Sequence, residues 1–404
     1  MKKHSLTLYI FAGIFLGVLA GWIFGERVLP FAEPLSLLFL RLLKMAIMPL
    51  IITSILSGVL SIGTGKHLGF LGLRTALYYI FSSLAAILTG QFLVNTFKPG
   101  VGAHIGLQYD VNTIAAADQS VKDLLFRIIP ENPFQSMAAG DVLPVIFFCI
   151  LFAFFINKLH DPLRSTMTQV IQAAFEAMMK MTHAIIWLAP LGVLGINARI
   201  VATTGFSAFY PLGKYFLVVL AGLFIHSLVT LPIVLALIAR VNPFKHYRNM
   251  LPAFLTAFST SSSMVALPLT MECASESSGV SKQVSNFFLP IGATVNMDGT
   301  ALYECVAAIF IAQAYGIDLS FTQQMVVALT ALLASIGAAG IPMAGLVMMS
   351  IILHAVGLPL EGVGIILAVD RVLDMFRTTT NVLSDSSGVV VVAHFEGEAL
   401  SEIR

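Results

Sequence analysis

Leu319–Leu360 runs for 42 residues without a charged side chain. One α-helix of that length would reach about 63 Å, twice the ~30 Å hydrocarbon core of a bilayer. Its centre reads Ser335-Ile-Gly-Ala-Ala-Gly-Ile-Pro-Met-Ala-Gly345, and three glycines with a proline should break a helix there. Removing that tip leaves arms of about 15 residues, or ~22 Å each, too short to cross comfortably. Two full spans are one reading. A re-entrant hairpin fits the lengths better.

The rest of the chain agrees with a bilayer setting. Of 404 residues 58% are hydrophobic and 11% charged, with a mean hydropathy of +0.92, where a soluble domain carries about 25% charge. The expected class is an all-α polytopic membrane protein. Lys and Arg number 22 against 21 Asp and Glu, so no basic face points to nucleic acid. Cys149, Cys273 and Cys305 have no CxxC spacing and suggest neither disulfides nor a metal site. Charge-free windows at Leu6–Phe24, Met45–Gly65, Thr75–Phe97, Val142–Asn157, Met181–Ala198 and Tyr215–Ala239 each read as one span. The first is longer than a usual signal-peptide core and lacks a clear A-x-A site. Lys2, Lys3, Lys66, Arg74, Lys158, Arg164, Arg240, Lys245 and Arg248 fall on the N-terminal side, which the positive-inside rule makes cytoplasmic. Lys98–Asp141 reads as a surface loop.

Asn249–Met271 repeats the plan of the charge-free run. Its middle is Ser259-Thr-Ser-Ser-Ser263, followed by Pro268. Five hydroxyls at that depth suit a helix bonding back to its own carbonyls, or a tip lining a polar cavity. Each of the two segments is followed by a helix rich in intramembrane polar groups. That is how an inverted repeat reads in sequence, and broken segments in matching positions point to a binding site.

Between the two lies Val284–Tyr315, charged only at Asp298, within Asn296-Met-Asp-Gly-Thr300, and at Glu304. The final span, Gly362–His394, holds Asp370, Arg371, Asp374, Arg377, Thr378, Asn381 and Asp385. A charge at a helix centre costs roughly 2.5–3.5 kcal/mol on insertion scales. At helical spacing Asp370, Asp374, Arg377, Thr378, Asn381 and Asp385 fall within an arc of about 100°. An ion-pair ladder, Asp374 with Arg377 and Asp370 with Arg371, is one account of this stripe. It leaves Asn381 and Asp385 unused; a buried carboxylate without a cation either takes up a proton or finds its partner in solution, a hard cation such as Na⁺, which prefers oxygen ligands. Gly299 and its polar neighbours argue for an interrupted helix at Asn296–Thr300. Arg377 is a fixed fork for a carboxylate and Asp374 a partner for an ammonium, together complementing an acidic amino acid. Glu304, one turn past Thr300, can shuttle a proton or make a fixed hydrogen bond to a neighbouring helix.

Ser261–Ser263 with Leu267-Pro268, Asn296–Thr300, Gly337-Ala-Ala-Gly-Ile-Pro342, the stretch Asp370–Asp385 and Tyr78-Tyr-Ile-Phe-Ser-Ser83 together resemble the glutamate transporter family. This family joins prokaryotic dicarboxylate/amino acid:cation symporters and animal excitatory amino-acid transporters. The resemblance implies eight transmembrane helices, two re-entrant helical hairpins forming inverted repeats, a homotrimer and an elevator mechanism. It divides the chain into scaffold helices 1 and 2 (1–72), transport-domain helix 3 (73–98), an extracellular loop with scaffold helices 4 and 5 (99–210) and transport-domain helix 6 (211–242). Hairpin 1 (243–276), helix 7 with its unwound motif (277–316), hairpin 2 as the gate (317–360) and helix 8 with a cytoplasmic tail (361–404) follow.

The resemblance also implies that Arg377 holds the substrate side-chain carboxylate and Asp374 the amino group, with Thr378, Asn381, Thr300, Ser262, Gly340 and Ile341 completing the pocket. One sodium site would use Asn296, Asn381, Asp385 and a carbonyl near Gly292. A second would use carbonyls around Thr294, Ser335, Ile336 and Ala338. A third would use Tyr79, Ser82, Ser83, Asn296 and Asp298. Two to three sodium ions per protomer are expected, a proton on Glu304, and no organic cofactor. Thr260 and Met375 stand where archaeal and animal members respectively carry an arginine, which leaves potassium counter-transport open. Met343 occupies a hairpin-tip position where glycine or glutamine is common.

The expected function is a sodium-coupled symporter for L-glutamate or L-aspartate in the cell membrane, with both termini cytoplasmic and no enzymatic activity. A proton- or sodium-driven C4-dicarboxylate symporter is the rival, and Asp374 discriminates because a dicarboxylate brings no ammonium. An anion channel is a third reading. An intramembrane protease lacks support, since neither GxGD nor GxSG-like motifs are present.

Overall fold

A computed structural model describes residues 4–61, 66–103, 129–139, 142–205, 209–337, 344–360 and 362–403, and among these the ordered elements are helices, with no β-strand. The first half holds α1 (His4–Phe24), α2 (Leu29–Ser61), α3 (Lys66–Phe97), α4 (Pro133–Ala139), α5 (Val142–Ile156), α6 (Leu163–Ile186) and α7 (Ala189–Thr204). α8 (Phe209–Ile225) runs on through π-helical turns at His226–Thr230 and Leu235–Ala239. Then come α9 (Pro243–Thr260), α10 (Ser263–Glu272), α11 (Lys282–Val295), α12 (Asp298–Ala314), α13 (Phe321–Gly337), α14 (Ala344–Ala355) and α15 (Gly362–Phe395). Four described stretches are long and apolar enough to cross a membrane: Ala12–Phe39, Phe70–Phe97, Tyr210–Ala239 and Lys282–Ala314.

Three spans differ from the sequence reading, α3 among them, which begins at Lys66 and not at Thr75. α2 starts at Leu29 and not near Met45, because Pro30 is tolerated in a first turn and Glu33 faces Arg199 of α7 at 3.9 Å. The charges ride on the flank and do not end the helix. The expected span Met181–Ala198 is two helices, since Pro190 lacks the N–H that would continue α6 and instead sits in the first turn of α7. α1 lies close along α7: a side chain at Gly17 or Gly21 would come within 2.5 Å of the Leu194 or Ala198 carbonyl oxygen, the small-residue approach of membrane helices.

The core divides into two apolar clusters with a polar layer between them. On α3, Leu71 and Tyr79 belong to one cluster and Ala86–Val94 residues to the other, with Ser82 and Ser83 at the change. α8 changes at His226 and Ser227, the α11–α12 pair at Asn296–Asp298, and α15 between Leu373 and Val382. Four long helices thus place their buried polar groups at one level. Every residue of α12 except Gln313 is buried, so this part of the membrane-length stretch Lys282–Ala314 faces protein on all sides.

Candidate functional site

The chain breaks between α11 and α12 at Asn296 (φ −96°, ψ 90°) and Met297 (φ −120°, ψ 63°). The interruption is two residues long and precedes Gly299, which lies inside the first turn of α12. Gly299 serves close approach: a Cβ there would stand 2.6 Å from the Arg377 carbonyl oxygen. Asn381 of α15 caps the freed turn. Its Oδ1 accepts from the N–H of Gly299 (2.8 Å) and Thr300 (3.4 Å), and its Nδ2 donates to Thr300 Oγ1 (3.2 Å).

Asp298 is fully buried in a cage of donors drawn from the other three helices of the polar layer, α3, α8 and α15. Ser82 Oγ donates to Oδ2, Ser83 Oγ to Oδ1 at 2.6 Å, and Ser384 Oγ to Oδ2 at 2.6 Å. His226 Nε2 lies 2.9 Å from Oδ2. A carboxylate only accepts, so Nε2 carries the proton of that bond. Two residues earlier, in the break, Asn296 Nδ2 donates to Asp385 Oδ1 (2.9 Å) and Ser384 Oγ (3.0 Å), while its own Oδ1 is buried without a hydrogen-bond donor. Asp385 presses on Gly292, whose Cβ would stand 2.5 Å from Asp385 Oδ1 and 3.0 Å from Tyr79 Oη. Tyr79 Oη donates to the Phe288 carbonyl at 2.8 Å. Two buried carboxylates beside an amide oxygen without a donor suit a small hard cation.

The second half of the site surrounds Arg377, which is 1% exposed. Nη1 donates to Asp370 (2.9 Å), Nη2 to Asp374 (2.7 Å), and the guanidinium lies 3.9 Å above the Tyr303 ring. Arg371 Nη1 reaches Asp374 at 3.2 Å. The ladder is therefore Asp370–Arg377–Asp374–Arg371: of the two pairs the sequence suggested, Asp374 with Arg377 forms, whereas Asp370 meets Arg377, two turns away on the same face, and not Arg371. Arg377 Nε and Asp370 Oδ2 have no hydrogen-bond partner. Thr378 is buried beside Arg377. The first turns of α14 cover the guanidinium, since a Cβ on Gly345 would meet it at 3.1 Å. Glu304 is 0% exposed, and neither carboxyl oxygen has a partner.

Ser262 caps α10, accepting from Val265 N–H at 3.4 Å, after Ser261 turns the chain in the left-handed region (φ 48°). This is the break between the two arms of the first candidate hairpin, and α9 and α10 pack on each other and on α15. Thr294 and Ser335 each bond a carbonyl of their own helix, Ile291 at 3.0 Å and Leu332 at 2.7 Å. They are not joined to the Asp298–Asp385 group by any hydrogen bond, although α11 and α13 are in contact. Ile336 lies in the last turn of α13. Ala338, Gly340, Ile341 and Met343 lie outside the described residues.

Sequence reasoning missed His226, Ser384 and the pairing role of Asp370. A histidine followed by a serine in the centre of an otherwise charge-free span, Tyr215–Ala239, was the available signal.

A model of the sodium:dicarboxylate symporter family matches residues 6–395. The chain is 36% identical to excitatory amino acid transporter 3 of Mus musculus, over 100% of this chain and 88% of that one. It is 35% identical to the proton/sodium-glutamate symport protein of Geobacillus stearothermophilus (98% and 96% covered) and 36% to that of Bacillus subtilis strain 168 (98% and 94%).

Proposed function

The chain belongs to the sodium:dicarboxylate symporter family, and on that footing we propose that it is a sodium-coupled symporter of acidic amino acids. The observation that carries this reading is the enclosed Arg377, a bidentate fork with an unpartnered Nε, set one turn from Asp374 and above a layer of oxygen-lined acids. Relatives named for glutamate transport share this chain over nearly its full length.

Sodium ions are taken up at Asp298 and Asp385. The serine hydroxyls that donate to Asp298 can rotate and offer lone pairs to an arriving cation, so Ser82, Ser83 and Ser384 serve both states. Asn296 Oδ1, already without a donor, is the oxygen shared between the two acids. Ordering this layer fixes the Asn296–Met297 break and, through Asn381, the first turn of α12, which forms the floor of the substrate pocket. The substrate side-chain carboxylate takes Arg377, its ammonium takes Asp374, and Thr378, Asn381, Thr300 and Ser262 line the remainder. Coupling is the differential affinity of the substrate for the ion-loaded state, typically 1–3 kcal/mol. Glu304, buried with two unsatisfied oxygens, carries a proton with the substrate.

The finer architecture follows the family: eight transmembrane helices with two re-entrant hairpins, α9–α10 and α13–α14. Helices 1, 2, 4 and 5 form a homotrimeric scaffold against which the remainder moves as an elevator. The α13–α14 tip is the gate over Arg377. Both termini are cytoplasmic.

The test is Arg377→Cys reconstituted in proteoliposomes under an inward sodium gradient. Uptake of labelled glutamate and aspartate should vanish. Normal glutamate accumulation by this variant would refute the substrate assignment. A C4-dicarboxylate substrate is the second reading, favoured by the two arginines that already neutralise Asp374. Tight succinate binding without competition by aspartate would establish it instead.

A further inference from the structure

A cavity of about 390 Å³ opens on the flank of the bundle between α3, the π-helical half of α8 and the end of α15. Leu77, Phe81, Val234, Ile238 and Phe395 line it, and Phe81 and Phe395 are 68% and 52% exposed. π-helical turns widen a helix and recur at functional sites, and α8 has two of them along this wall. The two ends of the cavity are polar. Arg74 stands at the mouth, where Nη1 donates to the Phe395 carbonyl (2.8 Å) and to Glu396 Oε1 (2.5 Å). Both bonds use one nitrogen of a five-donor group, so Nη2 and Nε can serve another acceptor. Ser82 and His226 reach the inner end of the cavity, and the same two side chains hold Asp298.

We propose that this groove binds one acyl chain of an anionic phospholipid, with the lipid phosphate on Arg74. A wall of exposed phenylalanine and aliphatic side chains in a membrane is covered by hydrocarbon and repels a hydrated ion. A guanidinium at the rim selects a phosphate, which it grips in two-point fashion. Glu396 takes only one nitrogen of that group, which leaves the fork for the phosphate. Because the chain end would touch Ser82 and His226, lipid occupancy and sodium binding at Asp298 are linked, each altering the affinity of the other by the same factor. This linkage rests on the reading of Asp298 as a sodium ligand, whereas the lipid site does not.

The experiment uses the full-length protein in phosphatidylcholine nanodiscs doped with a diazirine-bearing phosphatidylglycerol or the matching phosphatidylcholine. After irradiation, labelled peptides are mapped by mass spectrometry. Phosphatidylglycerol should label Leu77–Ala85 and Leu231–Ile238 several-fold above phosphatidylcholine. Ala85→Phe, which fills the groove, should remove this labelling, and Arg74→Gln should lower it to the phosphatidylcholine level. Unlabelled phosphatidylglycerol, added to the wild type, should suppress this labelling at a several-fold lower mole fraction than unlabelled phosphatidylcholine. Equal labelling by both head groups, label spread evenly over the exposed helices, or equal competition by unlabelled phosphatidylglycerol and phosphatidylcholine would overturn the site, and the last needs no variant to fold. Specific labelling that sodium does not change would refute the linkage alone.

Discussion

Asp298→Asn keeps the shape of a fully buried side chain and replaces one carboxylate oxygen by an amide nitrogen. The cage around it holds three hydroxyls and one imidazole nitrogen. Hydroxyls both donate and accept, so those facing the new NH₂ group can turn and accept, while the amide oxygen still takes the donors that face it. Each bond falls from charge-assisted, about 1.5–3 kcal/mol, to neutral, about 0.5–1.5 kcal/mol. Against that loss stands the relief of no longer burying an ionised group, several kcal/mol in its own right. The two nearly cancel, and the sodium-free fold should change by no more than about 2 kcal/mol. The ion has no such compensation. Removing one partner of a buried charge pair costs about 3–5 kcal/mol, which at 1.4 kcal/mol per decade is a loss of between about a hundredfold and a few thousandfold in sodium affinity. Isothermal titration of purified protein with sodium reads the second quantity, and thermal unfolding in sodium-free buffer reads the first. An unchanged sodium Kd in a variant that still unfolds cooperatively would refute the reasoning, as would a collapse of the fold before sodium is added.

Three other substitutions test separate parts of the site. Glu304→Gln removes a titratable group that makes no hydrogen bond. Sodium-driven glutamate uptake should persist while its dependence on an imposed pH gradient is lost, and an unaltered pH profile of initial rates would count against a proton role. Gly292→Ala places a methyl 2.5 Å from Asp385 Oδ1 and 3.0 Å from Tyr79 Oη, so overpacking of about 1–3 kcal/mol should lower the unfolding temperature together with sodium affinity. Asn381→Ala uncaps α12, leaving the Gly299 N–H without its acceptor. Cap removal at about 0.5–2 kcal/mol should appear as lower stability in the absence of any ligand, measured by the unfolding midpoint without sodium or substrate.

The stripe on α15 was legible because period alone puts Asp370, Arg377, Asn381 and Asp385 on one face, whatever they touch. The helical class and the break near Asn296 were legible for similar local reasons: low charge, and residues that compete for backbone hydrogen bonds. Pairing was legible only in part: Asp374 with Arg377, three residues apart, is formed, but Asp370 with Arg371 is not, since successive side chains on a helix do not face each other, and Asp370 bonds Arg377. His226 carried no periodic partner, and its role depends on α8 meeting α12, a contact that no local pattern encodes. Asn381 read as a ligand of ion and substrate, and its oxygen has a further role that no local pattern encodes, as the cap of another helix. The start of α2 was misplaced because charge was taken as a boundary, whereas Glu33 is accommodated beside Arg199.

The donors around Asp298 have an order in time as well as in space. A ribosome makes Ser82, Ser83 and His226 before it makes Asp298, and only Ser384 after it. When this acid leaves the translocon, three of its four companions are already in the bilayer, ready to shelter it before α13–α15 exist. Arg377 is in the opposite position from its covering segment, because α14 precedes it and must wait for α15 to supply the charge it encloses. Biogenesis therefore begins the ion layer before the substrate chamber, and both close only with the last helix, which brings Arg377 and then Ser384 and Asp385.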